Sequence, residues 1–151
     1  MKKLLCIILL VSVHLILLGQ VDLNNWYFGS VFSIDFNTEN PIFRLEGKIY
    51  SIESSATVSD CLGNIILNSD GHTVWNKDDS ILKNGDGLDS STSRLPSSQG
   101  VSIVKKTQSG DVFYTFTASS EEEEEEERYS IIDMNLNNGS GGVTLKNRIL
   151  N

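Results

Sequence analysis

His72 is the natural candidate for acid–base chemistry, because the other histidine, His14, lies in the apolar N-terminal stretch. A Ser-His-Asp relay places an imidazole between a hydroxyl and a carboxylate. His72 instead follows Asp70-Gly71, a dipeptide typical of a turn, and the chain has no Gly-x-Ser-x-Gly nucleophile motif. We therefore interpret His72 as a turn residue and predict no catalytic residues.

The segment 78–89 is a candidate calcium site. Asp78 and Asp79 precede Asn84-Gly85-Asp86-Gly87-Leu88-Asp89, so several oxygen ligands fall within a short glycine-containing stretch, as a hard cation requires. The spacing is not that of an EF-hand. Aspartates in glycine-rich turns commonly serve backbone geometry. We predict structural turns with no metal and no cofactor, and keep calcium as the alternative.

Aromatic residues offer a third chemistry. Trp26, Tyr27 and Phe28 are consecutive, and Trp75 lies further along the chain. Flat rings pack well against sugar faces, so these residues could form a glycan-stacking surface. In a strand, however, Trp26 and Phe28 share one face and Tyr27 takes the other, so that at least one side is expected to be core. Core packing and glycan binding both remain open.

The net charge of -8 comes from 12 basic and 20 acidic residues, but seven of the acids form one run, Glu121 to Glu127. Removing these seven leaves 13 acidic residues against 12 basic ones. We interpret the run as a solvated, mutually repelling loop. The chain has no basic excess, which excludes nucleic acid as a predicted partner.

The N-terminus has the layout of a secretory signal peptide. Lys2 and Lys3 precede an apolar stretch from Leu4 to Leu18, after which the chain becomes polar. That stretch is shorter than a bilayer requires. We predict a signal peptide at 1–20 and a secreted or cell-surface protein. Cys6 lies within this segment, so cleavage leaves Cys61 without a disulfide partner. We interpret Cys61 as a turn-side residue.

From Trp26 onward the chain has the pattern of short β-strands separated by turns. Asp70-Gly71 and the segment 108–111 separate apolar runs at the spacing of hairpins, and helical periodicity is absent. In the run Tyr129 to Leu136, Ile132, Met134 and Leu136 share one strand face. The segment 84–100 is rich in Gly, Ser and Asp and predicts a long loop between two groups of strands.

These two groups predict an all-β fold of antiparallel meander blades over 21–151. Propeller blades take roughly 40 to 45 residues each, so this length accommodates about two blades and an incomplete β-propeller. A small β-sandwich is the alternative. Open edges near Trp26 and Val143 would leave backbone groups unpaired, which predicts self-association through those edges.

Short segments in a fixed order carry a resemblance to a known family. They are Asn25–Gly29, Ile34–Phe36, Ala56–Asp60, Gly63–Leu67, Asp70–Gly71, Val74–Lys77, Val104–Lys106, Val112–Phe116 and Arg128–Met134. Together they resemble the N-terminal propeller-like region of large secreted surface proteins of gliding bacteria, over roughly 25–150. The chain departs from that family at Glu121 to Glu127, where a short mixed loop is usual.

The resemblance implies a surface or adhesion role without catalysis, in proteins where immunoglobulin-like repeats and a type IX sorting domain usually follow. We predict an exported surface-protein module with a binding, adhesion or scaffolding role and a surface protein or glycan as partner. Two alternatives remain: a truncated gene fragment without separate activity, and a carbohydrate-active propeller enzyme. The enzyme would need a convergent pair of carboxylates, which the sequence does not nominate.

Overall fold

A computed structural model describes residues 24–29, 31–45, 49, 54–88, 100–107, 109–118 and 127–150. The predicted signal peptide, Asp89 and most of the loop 84–100, and the glutamates 121–126 lie outside these residues. Within the described part the chain is almost entirely β-structure, so the predicted all-β fold is confirmed.

The described residues form eleven β-strands and one short 3-10 helix, Asn137–Gly139. The strands are β1 Asn25–Phe28, β2 Phe32–Asp35, β3 Ile42–Leu45, β4 Ala56–Ser59, β5 Ile65–Ser69, β6 Thr73–Asn76, β7 Ile81–Asp86, β8 Val101–Lys105, β9 Val112–Ala118, β10 Glu127–Asp133 and β11 Gly142–Ile149. The first three form a small antiparallel sheet, and the other eight form a second sheet.

The larger sheet consists of two antiparallel meanders, β4 to β7 and β8 to β11. They join where β7 runs parallel to β11, at Lys83 and Gly142. Side chains strengthen this junction, because Lys146 Nζ donates to the Asp86 carbonyl (2.8 Å) and Asn147 Nδ2 donates to the Gly87 carbonyl (2.9 Å). The end strands β4 and β8 lie against each other, so the sheet is a nearly closed barrel.

This arrangement differs from the separate blades that we expected. Propeller blades are separate sheets packed around a channel, whereas here the two meanders share one sheet. Joining β7 to β11 pairs one edge of each meander, and unpaired edges are unfavourable. As a result β11, which contains Val143, lies inside the sheet between β7 and β10 and is not an open edge.

Both meanders contribute to one hydrophobic core. Its buried members are Leu67, Val74, Leu82, Leu88, Phe113, Ile132 and Val143. The predicted face of Ile132, Met134 and Leu136 is only partly correct. Ile132 is buried and Met134 packs against the core, but β10 ends at Asp133 and Leu136 is exposed.

Two buried hydroxyl groups lie opposite each other in the barrel wall, Thr115 on β9 and Ser130 on β10. Thr115 is 0% exposed, and its Oγ1 has no hydrogen-bond partner among the described residues. Ser130 is 1% exposed, and its Oγ accepts a hydrogen bond from the Asn147 N–H (3.0 Å). An unsatisfied buried hydroxyl lowers stability, whereas a satisfied one does not.

Thr115→Val should therefore stabilise the protein, raising the free energy of unfolding by about 1 kcal/mol, because the replacement removes an unsatisfied polar atom at nearly constant shape. The matched variant Ser130→Ala should lower it by about 1–3 kcal/mol, because the Asn147 N–H then loses its acceptor. Urea unfolding of both variants measures the difference. Equal destabilisation by the two substitutions would contradict this account.

Candidate functional site

His72 lies in the turn between β5 and β6, as predicted. Asp70 Oδ1 accepts hydrogen bonds from the N–H groups of His72 (2.9 Å) and Thr73 (2.7 Å). Asp86 Oδ1 lies 3.6 Å from His72 Nε2 and accepts a hydrogen bond from Thr73 Oγ1 (3.1 Å). The His72 imidazole and the Thr73 hydroxyl therefore both lie next to the same Asp86 oxygen. In a catalytic Ser-His-Asp relay, the imidazole lies between the hydroxyl and the carboxylate.

The candidate calcium ligands lie apart in the fold. Asp78 and Asp79 belong to the turn between β6 and β7, whereas Asn84 and Asp86 belong to β7, which shortens the predicted loop. Asp78 is paired with Lys77 (2.8 Å). Within the described ranges, no group of three or more His, Cys, Asp or Glu side chains could hold a metal ion.

The remaining polar candidates serve local structure. Cys61 is an exposed free thiol in the turn between β4 and β5. Glu127, the last residue of the glutamate run, begins β10 opposite Ala118 on β9. Trp75 lies on β6 of the larger sheet, whereas Trp26 and Phe28 lie on β1 of the small sheet.

One face of the three-stranded sheet is apolar throughout. Strand register places Trp26 opposite Ile34, Phe28 opposite Phe32, and these two β2 residues opposite Phe43 and Leu45 on β3. We call the six side chains the apolar face: Trp26, Phe28, Phe32, Ile34, Phe43 and Leu45. Trp26 is 50% exposed, Phe43 65% and Leu45 81%. The expectation that Trp26 and Phe28 share a face is confirmed, and both are exposed.

Ring contacts run across this surface. The Trp26 ring lies 5.3 Å from Phe36 and 6.2 Å from Phe28, and Phe32 continues the row to Phe28 (6.0 Å) and Phe43 (5.9 Å). Neighbouring planes are inclined at 38° to 61°. Such edge and tilted contacts hold aromatic side chains in place, so the rings form an ordered surface.

The opposite, polar face of the small sheet contacts the barrel. Asn25 Nδ2 donates to Ser59 Oγ (3.2 Å) and to the Gly63 carbonyl, which also accepts from Asn37 Nδ2 (3.1 Å). Ser55 Oγ donates to the Tyr27 carbonyl (2.5 Å). The small sheet therefore docks through its polar groups, and its apolar face is left on the surface.

Gly63 makes this docking geometry feasible. Its φ is +80°, a left-handed conformation that favours glycine, and a Cβ there would lie 1.8 Å from Asn37 Oδ1. Asn37 is held in turn by Asp35, whose Oδ1 accepts from the Asn37 N–H (2.9 Å) and Nδ2 (2.8 Å). Arg44 pairs with the other oxygen of Asp35 (3.2 Å).

Sequence reasoning identified Trp26 and Phe28 but missed the other four members of the apolar face. The available signal was alternation, because Phe32 and Ile34 are two residues apart, as are Phe43 and Leu45. The register that brings these pairs side by side is a property of the folded sheet.

Comparison of the chain with protein-family models, curated proteins and solved structures finds no match. The fold itself defines an all-β protein with a barrel-like sheet and a small second sheet. Within its described part, the chain has no helix with the length and apolar character needed to cross a membrane.

The docking network should respond to acid. The Asn37 N–H lowers the pKa of Asp35 most; the Asn37 side-chain amide and Arg44 lower it further, against the opposing effect of burial. A carboxyl with a lower pKa in the folded state stabilises the protein fully above its unfolded pKa, about 4. That contribution is lost as pH falls through the folded pKa.

Asp35→Asn should therefore lower the melting temperature at neutral pH, and the difference from wild type should shrink as pH falls below about 4. Thermal melting at a series of pH values measures it. A difference that stays constant from neutral to acidic pH would show that the Asp35 charge does not stabilise the fold.

Proposed function

We propose that this protein is a non-catalytic binding module of an exported surface protein, and that its apolar face docks on a protein partner. The observation that carries the proposal is the apolar face itself, in which Trp26, Phe28, Phe43 and Leu45 are exposed. The other two members, Phe32 and Ile34, are half-buried between them. Contiguous exposed apolar surface of this kind usually marks an interaction site.

The chemistry of the apolar face favours a protein over a glycan there. Among its six side chains, the only hydrogen-bonding group is the Trp26 indole N–H, which can donate but not accept. A sugar bound against it would lose water from its hydroxyl groups without gaining acceptors from these side chains. An apolar protein surface has no hydrogen bonds to water to lose when it contacts the same face.

The composition of the apolar face resembles that of binding hot spots in protein interfaces. Trp is enriched among the residues that contribute most to binding, and a well-packed aromatic anchor contributes about 2 kcal/mol or more. The edge strand β3 extends the surface, because all four of its residues are exposed and no described strand pairs with its outer side. A β-rich partner could use both features.

Several aspartates have structural partners, which argues against a pair of catalytic carboxylates. Asp60, Asp70 and Asp133 each accept hydrogen bonds from backbone N–H groups in their own turns. Asp78 and Asp111 pair with lysines. These roles favour the binding module over the carbohydrate-active enzyme. A truncated fragment without activity is the remaining alternative, and an exposed face that binds nothing would favour it.

Phe43→Ser combined with Leu45→Ser should weaken binding of the labelled protein to intact cells of its source organism by about 30-fold or more, because two apolar contacts are lost from the interface. Ile81→Ser combined with Val104→Ser is the matched control, since both residues are exposed strand residues of the larger sheet. Flow cytometry measures binding, and circular dichroism checks that both variants fold.

Equal binding by the two double variants would refute the apolar face as the docking surface. Sedimentation adds a second comparison. If wild type forms dimers that the Phe43 and Leu45 substitutions abolish, the partner on this face is a second copy of the chain.

Export is the other half of the proposal, and the layout of residues 1–20 supports it. The resemblance to surface proteins of gliding bacteria points to type IX secretion. We expect secreted material to begin near Gln20 or Val21. N-terminal sequencing of protein recovered outside the cell decides this, and an intact Met1 on that material would rule out cleavage.

A further inference from the structure

A cleft opens at the end of the barrel where four hairpin turns meet. The turns follow β4, β6, β8 and β10. Strands alternate in direction within each meander and β7 runs parallel to β11, so all four turns lie at one end of the sheet. The cleft has a volume of about 980 Å³ and takes lining residues from each turn. The mouth of a barrel is a common place for small-molecule sites.

The turns that form the cleft are tied to one another. Asn76 is buried in its wall, and its Oδ1 accepts from the N–H groups of Asp78 and Ser80 (3.0 Å each). Its Nδ2 donates to the Ser140 carbonyl (3.3 Å) in the turn after β10. The Met134 N–H donates to the Asp111 carbonyl (2.9 Å). These bonds fix the shape of the cleft.

Most of the charge around the cleft is paired. Lys77 Nζ lies 2.8 Å from Asp78, and Lys105 Nζ lies 3.4 Å from Asp111. Asp60 accepts hydrogen bonds from Asn64 Nδ2 (3.0 Å) and from the N–H groups of Leu62 and Asn64 (2.8 Å each). The lining has three carboxylates, Asp60, Asp78 and Asp111, against one lysine, Lys77, so its formal charge is -2. The cleft is therefore rich in hydrogen-bond acceptors and disfavours an anion.

Two amides in the cleft are oriented by neighbouring carboxylates. Asn64 Nδ2 donates to Asp60, and Asn135 Nδ2 donates to Asp133 Oδ1 (2.9 Å). A carboxylate can only accept, so each amide must turn its NH₂ group inward and present its carbonyl oxygen as an acceptor. Acceptors fixed in this way bind a donor without further ordering.

Apolar residues complete the lining, because Ile65, Ile66 and Met134 also border the cleft, and all three are half-buried. A ligand that fits must donate several hydrogen bonds, carry no negative charge and present an apolar patch of its own. The hydroxyl groups and C–H faces of a neutral saccharide meet all three requirements.

We infer that the cleft at the barrel mouth is a binding site for a neutral saccharide, separate from the apolar face. Hydroxyl groups donate to the oriented carbonyl oxygens of Asn64 and Asn135, and the sugar C–H face packs on the apolar wall. The site is independent of the protein-docking role proposed above.

The experiment titrates cellotetraose, maltotetraose and chitotetraose into isotope-labelled protein at millimolar concentration and follows backbone amide signals by NMR. At least one saccharide should shift signals of the four turns saturably. Asn64→Ala combined with Asn135→Ala should weaken that binding about tenfold or more, since it removes both oriented carbonyl oxygens from the cleft. Asn40→Ala, an exposed asparagine outside the lining, should leave it unchanged.

Three results would overturn the inference: no shift with any of the saccharides, shifts confined to the apolar face around Trp26 and Phe43, or binding of spermidine in the cleft without any saccharide. The second would move the sugar to the other surface, and the third would replace the ligand class with a cationic amine. Cell binding that depends on Phe43 and Leu45 is measured in a separate experiment, so failure of this inference is distinguishable from failure of the docking proposal.

Discussion

Backbone N–H and C=O groups at a strand edge must find partners, and this requirement organises the larger sheet. Each meander alone would expose two edges. Pairing of β7 with β11 at the bridge between Lys83 and Gly142 covers part of one edge of each, and the side chains of Lys146 and Asn147 extend the junction. The other two edges, β4 and β8, lie against each other. One shared core and one end crowded with hairpin turns are the consequences.

A single turn motif serves both surfaces. At the end of β2, Asp35 accepts from the N–H and Nδ2 of Asn37, and at the end of β10, Asp133 accepts from the same two groups of Asn135. In each case the carboxylate orients an amide two residues ahead. Asn37 then contacts the Gly63 carbonyl and holds the small sheet, whereas Asn135 lines the cleft.

The small sheet reverses the usual arrangement of a half-buried antiparallel sheet. Such a sheet commonly buries its apolar face and exposes its polar face to water. Here Asn25 and Asn37 contact the barrel, while Trp26 and Phe43 face outward. Partners suited to the two surfaces therefore differ in chemistry: the apolar face favours an apolar partner, and the cleft favours a ligand with hydrogen-bond donors.

Local patterns in the sequence determined the all-β class, several hairpin turns and the shared face of Trp26 and Phe28, because alternation and turn residues act over a few positions. Tertiary structure alone decided that β7 pairs with β11, that Val143 lies inside the sheet and that the apolar face is exposed. Alternating apolar residues have the same pattern whether they face a core or solvent. Only contacts between distant segments, such as Asn25 with Gly63 or Lys83 with Gly142, determine which side is covered.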